Sequence, residues 1–259
     1  MQIKDFQEIS EKLIPTFKKA GDVAIELQNK KIKITKKPDG TPVTDADLQT
    51  NEIIMKAIKI LTPNIPIVSE ETVNLKEKNI YKTFWLIDPI DGTRDYIEQK
   101  SEYTINAALI IDRIPEIGLI NAPKKNRMFF SYGKNHAFEI SDNKKTLLNC
   151  KKKTEEGKIF ALIHNGNPSE KISDFLKKNN VFKIIKMSSS LKFCVIAAGE
   201  ADIYACEPRA FEWDIAAGHA IVKHSGGLVT SDDGAQVLYG KIDFKNPALV
   251  VKRSILLEK

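Results

Sequence analysis

The chain has 259 residues, 42% of them hydrophobic, enough to bury one large core or two joined lobes. Its formal charge is +6, yet only five of its 40 basic residues are arginine. No helix-turn-helix, zinc-finger or RNP-type aromatic pattern accompanies the lysines, which argues against a nucleic-acid-binding module.

No run of about 18 apolar residues could cross a membrane. The charged start, MQIKDFQEISEK, lacks the apolar stretch of a signal peptide. Cys150, Cys194 and Cys206 are odd in number and widely spaced, which fits a reducing cytoplasm better than a disulfide framework. Cys194 lies in an apolar run and reads as core.

Residues 3–28 predict an amphipathic helix, with Ile3, Phe6, Ile9, Leu13, Phe17, Ala20, Ala24 and Leu27 on one face. Pro15 should kink or break it. A short strand is expected over 30–36, then a turn-rich loop, KPDGTPV. A second helix is predicted over 45–61, with Leu48, Ile53, Ile54, Ala57 and Ile58 inward. The lysine runs Lys30–Lys37 and Lys151–Lys153 read as solvated surface, a positive field that helps gather a phosphorylated substrate.

Apolar runs at 84–88, 103–111 and 116–121 predict neighbouring strands, with Asp112 and Arg113 turning between the last two. The sheet continues through 128–140, and the polar stretch 141–157 reads as a surface loop or lobe boundary. Beyond it come a strand (158–163), a helix (169–179), a strand (182–187), a helix (189–199) and a strand (201–205). A helix over 213–224 stops at Ser225-Gly226-Gly227. This mixture predicts a layered α/β arrangement.

The stretch Trp85–Ile97, WLIDPIDGTRDYI, carries the chemistry. Asp88 and Asp91 emerge where an apolar strand ends, and Pro89 should make the chain leave the strand there. Oxygen ligands on a rigid turn suit a hard cation such as Mg²⁺. Gly92 lets the backbone approach a ligand, and the amides of Gly92 and Thr93 could face an oxyanion. Other acids are less specific alone. Glu70 and Glu71 read as a helix start, Asp214 as a helix cap, and Thr44 with Asp47 as a capping box. His219 and His224, five apart, are wrongly spaced to share a metal.

In order, PVTDAD, VSEE, WLIDPIDGT and EWDIAAG with its GG ending resemble the inositol monophosphatase superfamily of metal-dependent phosphatases. SEYTINAALI, IHNG around His164, SSSLKFCVIAAGEADIY and LYGKIDFKNPALVV are similar to its bacterial 3′(2′),5′-bisphosphate nucleotidase branch. The resemblance implies an αβαβα sandwich shared with fructose-1,6-bisphosphatase. It implies a lobe at 1–150 carrying most metal ligands, and a lobe at 151–259 carrying Asp214 and the substrate-binding residues.

The implied activity is Mg²⁺-dependent hydrolysis of the 3′-phosphate of 3′-phosphoadenosine 5′-phosphate, a by-product of sulfate assimilation, to AMP and phosphate. Water activated by two metal ions attacks, with two or three Mg²⁺ bound in all. By the same resemblance Glu70, Asp88 and the carbonyl of Ile90 hold one metal, and Asp88, Asp91 and Asp214 hold another. Thr93 and Asp47 activate the water and Glu71 supports them. Gly92, Thr93, His164, Ser189, Lys192 and Asp214 contact substrate.

One departure stands out: Cys206 occupies the place of the branch's usual Arg, and Arg209, three residues later, is the candidate to reach in. The partner expected is a small phosphorylated nucleotide, the protein being a cytoplasmic monomer or homodimer, with peripheral membrane association left open. An inositol monophosphatase or sugar-bisphosphate phosphatase is the near alternative. A non-catalytic RNA- or nucleotide-binding protein is the remote one.

Overall fold

A computed structural model describes residues 2–37, 40–77, 80–151 and 157–253. Pro38 and Asp39 of the expected loop lie outside the described residues, as do Lys152 and Lys153 of the second lysine run. Residues 152–156 of the expected boundary stretch 141–157 lie outside as well.

Helix α1 (Ile3–Gln28) and helix α2 (Asp45–Leu61) flank a small hairpin, β1 (Ile34–Lys36) with β2 (Pro42–Thr44). α1 runs unbroken through Pro15. Pro15 is exposed, so water can serve the carbonyl that lacks its helical donor. In α2 the inward face is set by Ala46, Asp47, Thr50, Asn51, Ile54 and Ile58. Leu48, expected inside, is 53% exposed, one position off that face.

A seven-stranded sheet follows in the order β3-β4-β5-β6-β7-β8-β9. Its strands are β3 (Ile67–Ser69), β4 (Phe84–Asp91), β5 (Thr104–Ile111), β6 (Ile114–Ala122), β7 (Arg127–Ser131), β8 (Ala137–Ser141) and β9 (Lys144–Leu147). β9 corrects the expected loop over 141–157: its four residues are all exposed, so no apolar alternation marks it. Asp112 and Arg113 both have positive φ, as a tight β5–β6 hairpin requires.

The second sheet has the order β11-β10-β12-β14-β13. It contains β10 (Ile159–Ile163), β11 (Val181–Lys186), β12 (Ile203–Cys206), β13 (Leu228–Ser231) and β14 (Leu249–Lys252), the last two not foreseen. Helix α4 (Glu170–Lys178) covers its outer face, where Ile172 and Leu176 pack on Ala161, Ile163 and Val250. Helices α5 (Leu191–Ala197) and α6 (Glu212–His224) lie between the sheets.

The apolar clusters define the layers. Trp85, Ile87, Leu109 and Leu119 pack under Leu13, Phe17, Ile54 and Ile58 of α1 and α2. The opposite face, with Leu86, Ala108 and Ile120, meets α5, α6 and second-sheet residues such as Tyr204 and Val251. The stack is therefore α, β, α, β, α, as the family resemblance implied. No helix among the described residues is long and apolar enough to cross a membrane.

Candidate active site

The strand does not end at Pro89. β4 runs on to Asp91, and its pairing with β5 slips by one residue: Asp88 faces Asn106, but Asp91 faces Thr104. The slip is a bulge, where Pro89 needs no N–H to give. It also explains the spacing. Residues three apart on a regular strand point to opposite faces, and the extra residue turns Asp91 back to the side of Asp88. Ile90 meanwhile buries its side chain with the α1–α2 layer.

Gly92 follows with φ of 95°, a left-handed conformation that glycine adopts without strain, and caps a short helix, α3 (Thr93–Ile97). A Cβ there would meet nothing closer than 3.6 Å, so it is the backbone angle that calls for glycine.

Glu70, at the end of β3, Asp88 and Asp214 each place a carboxylate oxygen within 4.8 Å of the others. Glu70 and Glu71 begin no helix; they lie in the turn after β3. Asp214 sits in the first turn of α6 and accepts from the Phe211 amide at 2.8 Å. Glu212 fixes that helix start, accepting from the amides of Gly240 (2.8 Å) and Lys241 (2.9 Å).

Asp91 is held from the turn that starts α5, its Oδ2 accepting from the Ser190 amide. Ser190 Oγ lies 2.8 Å from both Thr104 Oγ1 and Asn106 Oδ1. Asp47 closes the capping box with Thr44, and Thr93 Oγ1 lies 3.2 Å from Asp47 Oδ1 and 3.1 Å from the Ile90 carbonyl.

Burial raises the pKa of Asp47, Glu71, Asp88, Asp91 and Asp214, and repulsion from neighbouring acids adds to it. Asp88 and Asp214 are raised well above the carboxylate range, first by burial and then by neighbouring acids. Asp91 rises to about 6 through burial, although Lys192 and the Ser190 amide pull it down. Burial likewise takes Asp47 to about 6, against the Thr44 hydrogen bonds, and Glu71 to about 7, against Lys37. Asp88 Oδ1 is buried without a hydrogen-bond partner. An orphaned carboxylate oxygen among other acids is what a hard cation with oxygen ligands requires.

The acids open on a cleft of about 570 Å³, which Glu70, Asp88, Ile90, Asp91, Gly92, Thr93 and Asp214 share with His164, Ser189, Lys192 and Arg209. Asp47 and Glu71 stand behind it. Ser189 has φ of 54°, and its hydroxyl donates to the Glu102 carbonyl rather than facing the cleft freely. Lys192 is buried and donates to the carbonyls of Met187 (3.3 Å) and Ser189. Burial lowers its pKa to about 8.

His219 and His224 are buried far from shared ligation, pairing with Tyr239 (2.9 Å) and Ser131 (3.0 Å). The cysteines are free and buried.

Two groups went unread in the sequence. Lys37, taken for solvated surface, reaches Glu70 at 2.7 Å and Glu71 at 2.8 Å with its side chain only 17% exposed. Asn106 meets the motif only through strand register. Nothing in a lysine-rich run singles out the one that folds inward.

Fold and site together define an α/β-sandwich phosphatase. Residues 5–257 match the inositol monophosphatase family, and the chain belongs to it.

The 3′(2′),5′-bisphosphate nucleotidase CysQ of Buchnera aphidicola is 35% identical over 237 residues, covering 90% of this chain and 88% of its own. CysQ of Escherichia coli K12 is 30% identical, covering 90% and 94%. The crystal structure of CysQ from Bacteroides thetaiotaomicron superposes with a TM-score of 0.80 at 26% identity, covering 93% of this chain and 96% of its own.

Proposed function

We propose that this chain is a magnesium-dependent nucleotidase that removes the 3′-phosphate of 3′-phosphoadenosine 5′-phosphate. The observation that carries this reading is the orphaned, buried Asp88 oxygen among Glu70 and Asp214, in a cleft that Lys192 and Arg209 also line. The nucleotidases named above support the nucleotide as substrate.

Glu70, Asp88 and the Ile90 carbonyl would hold one cation, and Asp88, Asp91 and Asp214 a second, two or three ions being bound in all. Bound magnesium would offset the carboxylate charge, shield the phosphoryl oxygens and acidify a water. Thr93 donates its hydroxyl proton to Asp47, leaving its lone pairs to accept from the attacking water and aim it. Asp47 is ionised at neutral pH, since its pKa is about 6, and can take the proton that leaves the water through Thr93.

The Gly92 and Thr93 amides bind phosphoryl oxygens. Glu71 acts through Lys37, which ties it to Glu70. Ser189 and Lys192 line the nucleotide side, with His164. Lobes at 1–150 and 151–259 belong to the same proposal, as does a cytoplasmic monomer or homodimer working beside sulfate assimilation.

Phosphate release measured with the bisphosphate nucleotide, inositol 1-phosphate and fructose 1,6-bisphosphate tests the reading. The nucleotide should give the highest kcat/KM, and only with magnesium present. A much higher value for either competitor would overturn the substrate assignment. Salt-sensitive RNA binding without phosphate release would overturn the enzyme.

A further inference from the structure

The cations that line the cleft with the acids are Arg94, Lys100, Lys192 and Arg209. Lys100 is paired with Asp95 and Glu98, and Lys192 is buried beside Asp91, whose pKa, raised by burial, it pulls down. Arg209 is exposed on the loop between β12 and α6. Its Nη2 donates to His164 Nε2 at 3.2 Å. Among the described residues no carboxylate lies within ion-pair distance of it, and His164 is its hydrogen-bond partner. Burial, with Arg209 and Lys192 nearby, lowers the pKa of His164 to about 4, so the ring is neutral and accepts.

The charge of Arg209 reaches Asp214, whose pKa, raised by burial, it pulls down without a direct ion pair; the acid on its own loop is Glu207, two residues earlier. It is engaged elsewhere, accepting from Ser169 Oγ at 2.6 Å at the start of α4. Cys206 is buried in β12 and brings no charge to the wall.

A guanidinium that is oriented by a neutral acceptor and makes no direct ion pair has its remaining N–H groups available for an anion. Its planar fork matches phosphate geometry. We infer that Arg209 is the specificity-determining residue for the second, non-reacting phosphate of the substrate, and that His164 is a positioning residue that holds Arg209 rather than a direct ligand. Lys192, whose polar contacts are backbone carbonyls, supplies charge from behind.

The inference rests on the bisphosphate nucleotidase reading. It names which side chain makes the distinction between a bisphosphate and a monophosphate.

The experiment compares kcat/KM for adenosine 3′,5′-bisphosphate with that for adenosine 3′-monophosphate, in the wild type, Arg209→Ala and Arg209→Lys. The wild type should prefer the bisphosphate. Arg209→Ala should cut that preference by about 10- to 100-fold, through KM for the bisphosphate, since a charge-assisted contact is lost. Arg209→Lys should restore part of it, charge without the fork. Arg209 is on the surface, so the variants should fold, and matching thermal melts would establish this.

An unchanged preference in Arg209→Ala, while the wild type discriminates, overturns the role of Arg209 and leaves the nucleotidase reading standing. An equal loss on both substrates, with a raised magnesium requirement, would show that Arg209 acts on Asp214 and the acids, and also overturns it. A wild type without any preference would sink the nucleotidase reading and the inference with it.

Discussion

Thr93 Oγ1 stands 3.2 Å from Asp47 Oδ1, while Asp47 Oδ2 accepts from the Thr44 amide at 2.8 Å and the Thr44 hydroxyl at 2.5 Å. One carboxylate therefore caps a helix with one oxygen and orients a hydroxyl with the other. Neither residue belongs to the acids grouped for a cation. Thr93→Ala should lower kcat by about 10²- to 10⁴-fold, the range for a lost proton-transfer partner, while magnesium still raises the melting temperature. Steady-state kinetics paired with melts at several magnesium concentrations checks this. Loss of the magnesium effect would place Thr93 in the metal site instead.

Asp88→Asn keeps the shape of the side chain and removes its charge. The residue is buried, with one oxygen unpartnered in the metal-free fold. The amide relieves repulsion with Glu70 and Asp214, so the metal-free variant should melt no lower than the metal-free wild type. It should also lose turnover and the stabilisation by magnesium. Surviving activity would show that the cation is held elsewhere.

The pH dependence follows from acids whose pKa is raised on folding, led by burial: Asp47 and Asp91 to about 6 and Glu71 to about 7, with Asp88 and Asp214 higher than usual. From about pH 4 to about pH 7 the folded chain holds more protons than the unfolded one. This set therefore makes the metal-free protein less stable as pH rises through that window.

His219 and His224 act oppositely. Burial lowers both to about 3, so the unfolded chain takes up protons below its usual value near 6.5 and the fold weakens as pH falls. Neither touches the acids. The difference in melting temperature with and without magnesium therefore isolates the carboxylates, and it should grow between about pH 5 and pH 7.5. A difference that is flat across that range would contradict the assignment of the acids to the cation.

The layers were legible because each rests on a local period. Helix α2 begins and ends where its capping box and apolar spacing put it, and the strands around Trp85 and Leu109 are plain apolar runs. Where reading failed, a tertiary partner decided. Pro89 looked like a strand end because the bulge opposite Asn106 and Thr104 cannot be seen along one strand. Lys37 looked like solvent-facing lysine because Glu70 and Glu71 arrive more than thirty residues later. Arg209 was legible as a candidate beside Cys206, but the partner that orients it, His164, lies 45 residues away along the chain.

The position of Asp214 depends on how closely α6 lies on the seven-stranded sheet, and Gly118 in β6 sets that distance. A Cβ at residue 118 would sit 2.4 Å from the Ala217 carbonyl oxygen and 2.9 Å from Ala220 Cβ. The first of these is helix backbone and cannot turn aside, so α6 must lift. Gly118→Ala should therefore destabilise the protein by about 1–3 kcal/mol, the usual cost of overpacking. It should also raise the magnesium concentration needed for half-maximal activity, because Asp214 travels with the helix while Glu70 and Asp88 stay on the sheet. Melting curves and magnesium titrations of activity measure the two effects. A melt that falls with an unchanged magnesium requirement would mean that α6 yields at its far end and that its first turn is anchored independently, through Glu212 and its contacts with the Gly240 and Lys241 amides.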